Sequence, residues 1–168
     1  MSRPVKKEVS VREIEIRRAV PAEAEAISLL IREAFAPFES EYTAEAFEYT
    51  TPSADAIRPR FDEGPIWVAI DNDVMVGTVS GLRESDRFYI RSMAIKPTAQ
   101  RLGVGQKLLE TLEAFAFDAG YDTLYLYTTF VLPGAKRLYE KNGFYVLRET
   151  TPEEWCNMGG LEMEKKLK

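Results

Sequence analysis

The chain has 168 residues, of which 45 % are hydrophobic and 29 % are charged, a composition typical of one folded domain with its own core. It contains no histidine and one cysteine, Cys156, which excludes Ser-His-Asp and Cys-His catalysis and an internal disulfide, and argues against a metal site. The net charge of −5 disfavours nucleic acid as a partner, because phosphate binding needs clustered lysine and arginine.

The N-terminal segment MSRPVKKEVSVRE lacks the apolar centre of a secretory signal. No apolar run reaches the roughly 18–20 residues that span a bilayer. We therefore expect a cytoplasmic protein with no membrane partner. No repeat or linker divides the chain, so we expect a flexible tail over residues 1–11 and a single domain over residues 12–168.

The first predicted elements are a strand and a helix. Alternating isoleucines predict a half-buried strand over residues 13–17. Pro21 suits the first turn of a helix, and Pro37 ends it. Residues 43–63 are acidic and interrupted by prolines, which predicts one or two short helices. The apolar stripe of the first helix consists of Ile27, Leu30, Ile31, Ala34 and Phe35.

Strands then alternate with helices to the end of the chain. PIWVAIDNDVMVGTVSGL (65–82) predicts two strands joined by a turn at Asp71-Asn72-Asp73. A strand at 87–95, a helix at about 103–119 and a strand at TLYLYT (123–128) predict a parallel crossover in a mixed sheet. The remaining predicted elements are a short helix in PGAKRLYEKNGF (133–144) and strands in FYVLRET (144–150) and LEMEKKL (161–167).

Two glycines, Gly103 and Gly105, interrupt the long helix where it must nucleate, although each costs roughly 1 kcal/mol relative to alanine inside a helix. A helix N-terminus presents unpaired N–H groups and the positive end of the dipole, and the lack of side chains gives an anion access to them. The two glycines therefore predict a turn that binds phosphate or pyrophosphate. An ordinary glycine-rich turn is the alternative, and the spacing matches neither a P-loop nor a dinucleotide fingerprint.

QRLGVG (100–105) matches the Q/R-x-x-G-x-G/A signature of the GCN5-related N-acetyltransferase (GNAT) family, and the chain resembles this family over nearly its whole length. MAIKP and QKLLETLEAFA resemble the family's central motif, LYLYTT followed by AKRLYEKNGF resembles its next strand–helix unit, and IEIRRAVPAEAEAI resembles its opening. The resemblance implies an α/β (α+β) three-layer sandwich and one acetyltransferase domain over residues 12–168. Its central sheet would be mixed, mostly antiparallel, of about seven strands and splayed between strands 4 and 5, in the order β-α-α-β-β-β-α-β-α-β-β.

The resemblance also implies acetyl-CoA as the acyl donor, without a metal. The cradle for its pyrophosphate would use backbone amides of Gln100, Arg101, Leu102, Gly103, Val104 and Gly105. Met93, Ala94 and Ile95 would lie beside the pantetheine arm and pair with it as one strand pairs with another. The acyl group could differ from acetyl, because such a cradle binds the CoA and not its cargo.

The implied reaction is direct transfer of acetyl from the thioester to a primary amine. A strand-four N–H near Met93 or Ala94 would stabilise the oxyanion. Tyr139 falls on the family tyrosine that commonly protonates the departing thiolate, a role that suits a phenol. The alternative interpretation of Tyr139 is a core-facing aromatic residue on a short helix.

Three positions depart from the family pattern. Arg91 stands where many relatives carry a glutamate base, Leu132 where an asparagine commonly bonds the pantetheine, and Arg101 where glycine is frequent. A base is needed, because an alkyl amine of pKa about 10.4 is almost wholly protonated at neutral pH. Glu84 and Asp86, just before strand four, are the candidate replacements, and solvated loop carboxylates are the alternative.

The expected acceptor is a small-molecule or peptide amine. Residues 33–63 hold eight acidic residues against Arg58 and Arg60, which favours a cationic acceptor unless the segment is an ordinary solvated face. A second hypothesis is a non-catalytic CoA-binding module, and a homodimer through the C-terminal strands is a family-level expectation. Candidate pocket residues are Tyr42, Phe47, Tyr49 and Trp67, and candidate partners of the CoA 3′-phosphate are Lys136, Arg137 and Lys141.

Overall fold

The computed structural model describes residues 13–167, so the flexible tail expected over residues 1–11 lies outside the described part. Within the described residues, seven strands form one sheet in the order β1-β2-β3-β4-β5-β7-β6. The strands are β1 (Glu15–Arg18), β2 (Ile66–Asp71), β3 (Val74–Arg83), β4 (Phe88–Ile95), β5 (Thr123–Thr129), β6 (Tyr145–Thr150) and β7 (Gly160–Lys166). The helices are α1 (Ala24–Phe35), α2 (Ala44–Thr50), α3 (Ala54–Ile57), α4 (Arg60–Glu63), α5 (Val104–Asp118) and α6 (Pro133–Lys141).

The sheet lies between two helical layers, as the resemblance implied. The apolar stripe of α1, including Ile27 and Ile31, packs against one face of the sheet at Val68. On the opposite face, Leu108 and Leu112 of α5 are fully buried. Burial of both stripes is what joins the layers, since the hydrophobic free energy scales with the apolar area removed from water.

The predicted hairpin turn between β2 and β3 is confirmed. Asp71 pairs with Val74, so Asn72 and Asp73 form a two-residue loop with φ of 47° and 64°. Positive φ at both positions is the type I′ geometry that matches strand twist, and Asn and Asp tolerate it better than other side chains.

The prediction of one or two short helices over residues 43–63 is wrong, because the segment forms three. The N-terminus of α2 is capped by Thr43, whose Oγ1 accepts a hydrogen bond from the Ala46 N–H at 3.1 Å. Ser53 caps α3 in the same way through the Ala56 N–H at 3.2 Å. Each cap satisfies an amide that the start of a helix leaves unpaired, and this allows very short helices to follow one another.

A β-bulge divides β4 into two halves. Thr78 of β3 pairs with Ala94 and Ser80 pairs with Arg91, so two residues of β4 oppose the single Val79. Ser92, at φ 55°, is the extra residue. The bulge reverses the alternation of side chains along the strand. The residues of β4 that pack on the α5 side are Phe88 and Ile90 before the bulge and Met93 and Ile95 after it, while Ala94 packs on the α1 side.

The predicted parallel crossover is confirmed between β4 and β5, and the other strand pairs of the described sheet are antiparallel. The insertion of β7 between β5 and β6 was not predicted from the sequence. None of the helices within residues 13–167 is both long and apolar enough to cross a bilayer.

Candidate active site

A gap in the sheet forms the candidate site. The strands β4 and β5 pair only at Phe88–Leu124 and Tyr89–Tyr125 in the described structure, and then separate. A cleft of about 1160 Å³ occupies the gap. It is lined by Gly103 and Tyr139 from the α5 side and by Arg60 from the α1 side, so it connects the two faces of the sheet. Two molecules could therefore meet inside the sheet from opposite sides.

The start of α5 opens into this cleft. Gly103 precedes the helix with φ of 73°, a left-handed conformation that other residues adopt only with strain. A Cβ atom at Gly103 would meet nothing within 4 Å, so the turn is open on that side. The first hydrogen bond of the helix runs from the Lys107 N–H to the Gly103 oxygen at 3.2 Å, and the amides before Lys107 precede that ladder. This turn fits an anionic group such as a pyrophosphate.

The second glycine serves packing. Gly105 is buried, and a Cβ atom there would lie 3.0 Å from Leu138 Cδ2 and 3.5 Å from Ile95 Cδ1. From the sequence, both glycines were expected to give an anion access to the turn. In the structure Gly105 instead allows α5 to approach α6 and β4 closely, which fixes the position of the open turn relative to the gap.

Most of the predicted CoA-binding residues converge on the cleft. The predicted residues that line it are Met93, Ala94, Ile95, Gln100, Gly103, Val104 and Gly105. Arg101 and Leu102 do not line it: Arg101 is exposed and Leu102 packs against the core. Beyond Tyr89, the described β4 has no strand partner on the β5 side, so backbone groups at the gap are available to an extended ligand. The bulge that orients these groups was missed, because nothing in the local sequence marks Ser92 for a positive φ.

Tyr139 lies deep in the cleft, with 5 % of its surface exposed. Its ring packs edge-on against Phe144 at a centroid distance of 5.6 Å. Burial, with a smaller contribution from Tyr89, raises the pKa of the Tyr139 hydroxyl well above its usual value of 10. A phenol in this environment keeps its proton at neutral pH and can donate it. The two interpretations of Tyr139 are therefore compatible, because the residue packs in the core and also lines the cleft.

Glu84 also lines the cleft, and it accepts a hydrogen bond from the Tyr125 hydroxyl at 2.5 Å. Burial and Glu84 together raise the pKa of Tyr125. Arg87 lies over the Tyr125 ring, 3.7 Å from its centroid, and this cation–π contact helps to hold the ring in place. Asp86, the other candidate base, is exposed and does not line the cleft.

Arg91, at the position where a glutamate was expected, forms an ion pair with Glu63 of α4, with 2.7 Å between Nη2 and Oε2. Its neighbour in the cleft is Arg60, whose Nη1 donates to Ser92 Oγ at 2.9 Å. Burial, and then the charge of Arg91, lower the pKa of Arg60 to about 10. Arg60 was missed as a site residue, because no local pattern connects a four-residue helix with β4.

The other candidates separate into two groups. Tyr42 and Tyr49 line the cleft, whereas Phe47 and Trp67 pack elsewhere. Leu132 lines the cleft at the start of α6. Arg137 and Lys141 also line it, but Lys136 pairs with Glu140 at 3.3 Å and does not. None of the eight acidic residues of 33–63 lines the cleft. Cys156 packs beside Trp155, and burial raises the pKa of its thiol.

Comparison with known proteins identifies relatives. A family model described as the acetyltransferase (GNAT) family matches residues 26–144. The protein of Mus musculus called "Probable N-acetyltransferase family 8 member 5" is 30 % identical over 115 residues, an alignment that covers 64 % of this chain. The alignment covers 49 % of the mouse protein, so the chain spans about half the length of that relative.

Solved structures share the fold at low identity. The PaiA N-acetyltransferase of Thermoplasma acidophilum, in complex with coenzyme A, has a TM-score of 0.79 at 20 % identity and covers 92 % of this chain and 99 % of its own. The ribosomal-protein-S18-alanine N-acetyltransferase of Escherichia coli gives 0.76 at 18 % identity, over 92 % and 94 %. YncA of Salmonella typhimurium, solved with acetyl-CoA, gives 0.72 at 22 % identity, over 92 % and 94 %.

Proposed function

The chain belongs to the acetyltransferase (GNAT) family, and on that premise we propose that it transfers an acetyl group from acetyl-CoA to a primary amine, by direct transfer in a ternary complex. One observation carries the proposal. A single cleft joins the open turn before α5, the unpaired stretch of β4 and the buried hydroxyl of Tyr139. A donor bound on the α5 side and an acceptor bound on the α1 side would meet in the gap between β4 and β5.

The donor would be held mostly by backbone groups. Amides between Gly103 and Gly105 would donate hydrogen bonds to the pyrophosphate, favoured by the helix dipole. Met93 to Ile95 would pair with the pantetheine arm along the edge that β5 leaves open. Arg137 and Lys141, exposed on α6 at the cleft, are the remaining candidates for the 3′-phosphate.

Acetyl-CoA supplies an activated acyl group, and the protein supplies positioning and proton transfer. The amine nitrogen bonds to the carbonyl carbon and the carbon–sulfur bond breaks. An N–H of Met93 or Ala94 would donate to the carbonyl oxygen as negative charge develops there. Tyr139 would give its proton to the sulfur, and Glu84 would accept a proton from the amine, directly or through water. Glu84 is the candidate base because it lines the cleft, which Asp86 does not.

The acceptor is proposed to be a small-molecule or peptide amine. None of the acidic residues of 33–63, which favoured a cationic acceptor, lines the cleft. Three of them are engaged by cations, Glu33 by Lys96, Asp55 by Arg58 and Glu63 by Arg91. A cationic acceptor, a cytoplasmic location and a homodimer stay predictions from the sequence.

A second candidate function, a non-catalytic CoA-binding module, is favoured by Arg91 and Leu132 at positions where the family commonly carries a base and an amide. Release of free thiol from acetyl-CoA, measured against a panel of amines, separates the two functions. Saturable release that depends on the amine supports the enzyme. Tight binding of CoA without release supports the module, and absence of CoA binding contradicts both.

A further inference from the structure

Two arginines share the side of the cleft that carries α1. Arg60 reaches it from α4 and Arg91 from β4. Arg60 donates a hydrogen bond to Ser92, the residue next to Arg91, and Arg91 pairs with Glu63, one turn after Arg60 on α4. The two guanidinium groups are therefore close enough for their charges to interact. Ile57 and Phe61, which flank this part of α4, belong to the cluster that packs with α1, which fixes the face on which the arginines lie.

The positive charge of this pair is only partly balanced. Within residues 13–167, Glu63 is the carboxylate that pairs with either guanidinium, and it binds Arg91. The carboxylates that line the cleft, Glu84 and Glu154, are held by other side chains. Arg60, Arg91 and Glu63 together therefore carry a net positive charge, and the two arginines are half-buried whereas Glu63 is exposed.

This arrangement is costly for the folded protein. Arg91 Nε is buried and has no hydrogen-bond partner in the described structure. The pKa of Arg60 falls to about 10, through burial and the like charge of Arg91. An orphaned donor and two neighbouring cations both destabilise a folded chain, and an anion bound beside the cations reduces their mutual repulsion. A guanidinium has five N–H donors. Among residues 13–167, Arg60 donates to Ser92 and Arg91 to Glu63, which leaves most donors of the pair without an acceptor in the described structure.

The pair lies close to the proposed point of reaction. Arg91 precedes Met93 by two residues, with the bulge at Ser92 between them. Tyr49 and Tyr89 line the same part of the cleft, and burial raises the pKa of Tyr89 to about 12, so its hydroxyl stays a neutral donor. If the arginines bind an anionic group of a small acceptor, the amine of that acceptor can extend toward the gap between β4 and β5.

We propose that Arg60 and Arg91 bind a carboxylate of the acceptor, and that the acceptor is accordingly a small amine that carries a carboxylate, such as an amino acid. This inference rests on the proposed acetyl transfer and adds the chemical class of its acceptor. The planar guanidinium forks match the two oxygens of a carboxylate, which gives both charge and orientation. The acidic residues of 33–63 favoured an acceptor of the opposite charge, but the charged residue of that segment that lines the cleft is Arg60.

The first test compares acceptors that differ only in the carboxylate. Thiol release from acetyl-CoA is measured with the common amino acids and with their α-carboxamides, and kcat/KM is expressed per neutral amine. We expect the best amino acid to exceed its amide at least about tenfold. Arg60→Gln and Arg91→Gln should lower this ratio several-fold, and Arg60→Lys should restore part of it. The matched control is Arg58→Gln, because Arg58 pairs with Asp55 on the same segment and does not line the cleft, and it should keep the ratio.

The outcomes separate this inference from the proposed function. Thiol release that is equal for acids and amides, or that is unchanged in ratio by Arg60→Gln, overturns the carboxylate subsite and leaves acetyl transfer standing. If no amine causes thiol release, the proposed acetyl transfer is wrong. The carboxylate subsite is then tested by measuring how tightly the same acids and amides bind to the protein at equilibrium. Acids that bind no more tightly than their amides would then overturn it, and tighter binding that Arg60→Gln removes would support it. Circular dichroism of each variant establishes that it is folded.

Discussion

The rings of Tyr89 and Tyr125 stack across the parallel pair of strands, with 4.9 Å between their centroids and 24° between their planes. These two residues are also the last pair in register before β4 and β5 separate. The stack therefore closes one end of the gap. Because the Tyr125 hydroxyl binds Glu84, the same contact connects the closed end of the gap with the candidate base.

We expect Gly103→Glu to weaken CoA binding by at least about tenfold, because a carboxylate would face the pyrophosphate in a site partly withdrawn from water. The left-handed φ adds strain of about 1–2 kcal/mol, which lowers stability but does not unfold the chain. Calorimetric titration with CoA measures the affinity, and urea unfolding measures the stability.

Gly120→Glu is the matched control for charge and strain. Gly120 has φ of 91° and open space around its missing Cβ, but it follows the opposite end of α5. It should lose comparable stability and keep its CoA affinity. Equal affinity in the Gly103→Glu variant and the unchanged protein would show that the open turn does not hold the phosphates.

Tyr139→Phe keeps the buried ring and removes the proton. If Tyr139 protonates the departing thiolate, kcat should fall by about a hundredfold or more, with little change in the affinity for CoA. Stability should change little, because no hydrogen bond within the described residues contributes to the raised pKa of the Tyr139 hydroxyl. The raised pKa also means that loss of this proton should not limit the rate in the neutral and mildly alkaline range.

Tyr121→Phe provides the comparison for Tyr139, since Tyr121 packs its ring on Phe88 at 5.2 Å and does not line the cleft. It should leave kcat unchanged. A Tyr139→Phe enzyme as fast as the unchanged protein would remove Tyr139 from the acid role.

Glu84→Gln distinguishes the candidate bases. If Glu84 accepts the proton of the amine, kcat/KM at neutral pH should drop by about a hundredfold. The loss should shrink as the pH rises, since the amine then loses its proton to solvent. Asp86→Asn, two residues away in the same loop and outside the cleft, should have little effect. Equal effects of the two substitutions on the pH–rate profile would argue that neither carboxylate is the base.

Gly105→Val tests the packing role of the second glycine. The new side chain would collide with Leu138, so the free energy of unfolding should fall by about 1–3 kcal/mol. Gly134→Val is the matched control, because Gly134 is also the second residue of its helix but has nothing within 4 Å of its missing Cβ. The penalty at Gly105 should be smaller in a Leu138→Ala background. An equal penalty in both backgrounds would mean that the contact with Leu138 is not what excludes a side chain.

The parts of the fold that depend on local chemistry were predictable. The β2–β3 turn follows from the tolerance of Asn72 and Asp73 for positive φ, and the start of α5 follows from Gly103. The caps of α2 and α3 were also readable, since Thr43 and Ser53 each stand just before a short helix. These caps mark the starts of two of the three short helices, whereas α4 follows Pro59 and has no side-chain cap.

Other features depend on contacts between distant parts of the chain, and the sequence carries no local sign of them. The insertion of β7 between β5 and β6 is a choice among pairings that local patterns do not distinguish. The approach of Arg60 to Ser92 spans 32 positions and rests on how α4 packs. Of the candidate site, the open turn at Gly103 was readable from local sequence, whereas Arg60 reaches the cleft through contacts between distant segments. The CoA-binding and catalytic roles of these residues stay predictions.

The extra residue at Ser92 determines on which face of the sheet each later side chain of β4 lies. Phe88 and Ile90 lie on the α5 side of the sheet. Met93 and Ile95 lie on the same side only because the bulge adds one residue before them. Deleting a single residue here would keep most of the backbone pairing, yet it would turn Met93 toward the α1 side of the sheet and Ala94 toward the α5 side. This short segment should therefore accept changes of residue type far more readily than changes of length.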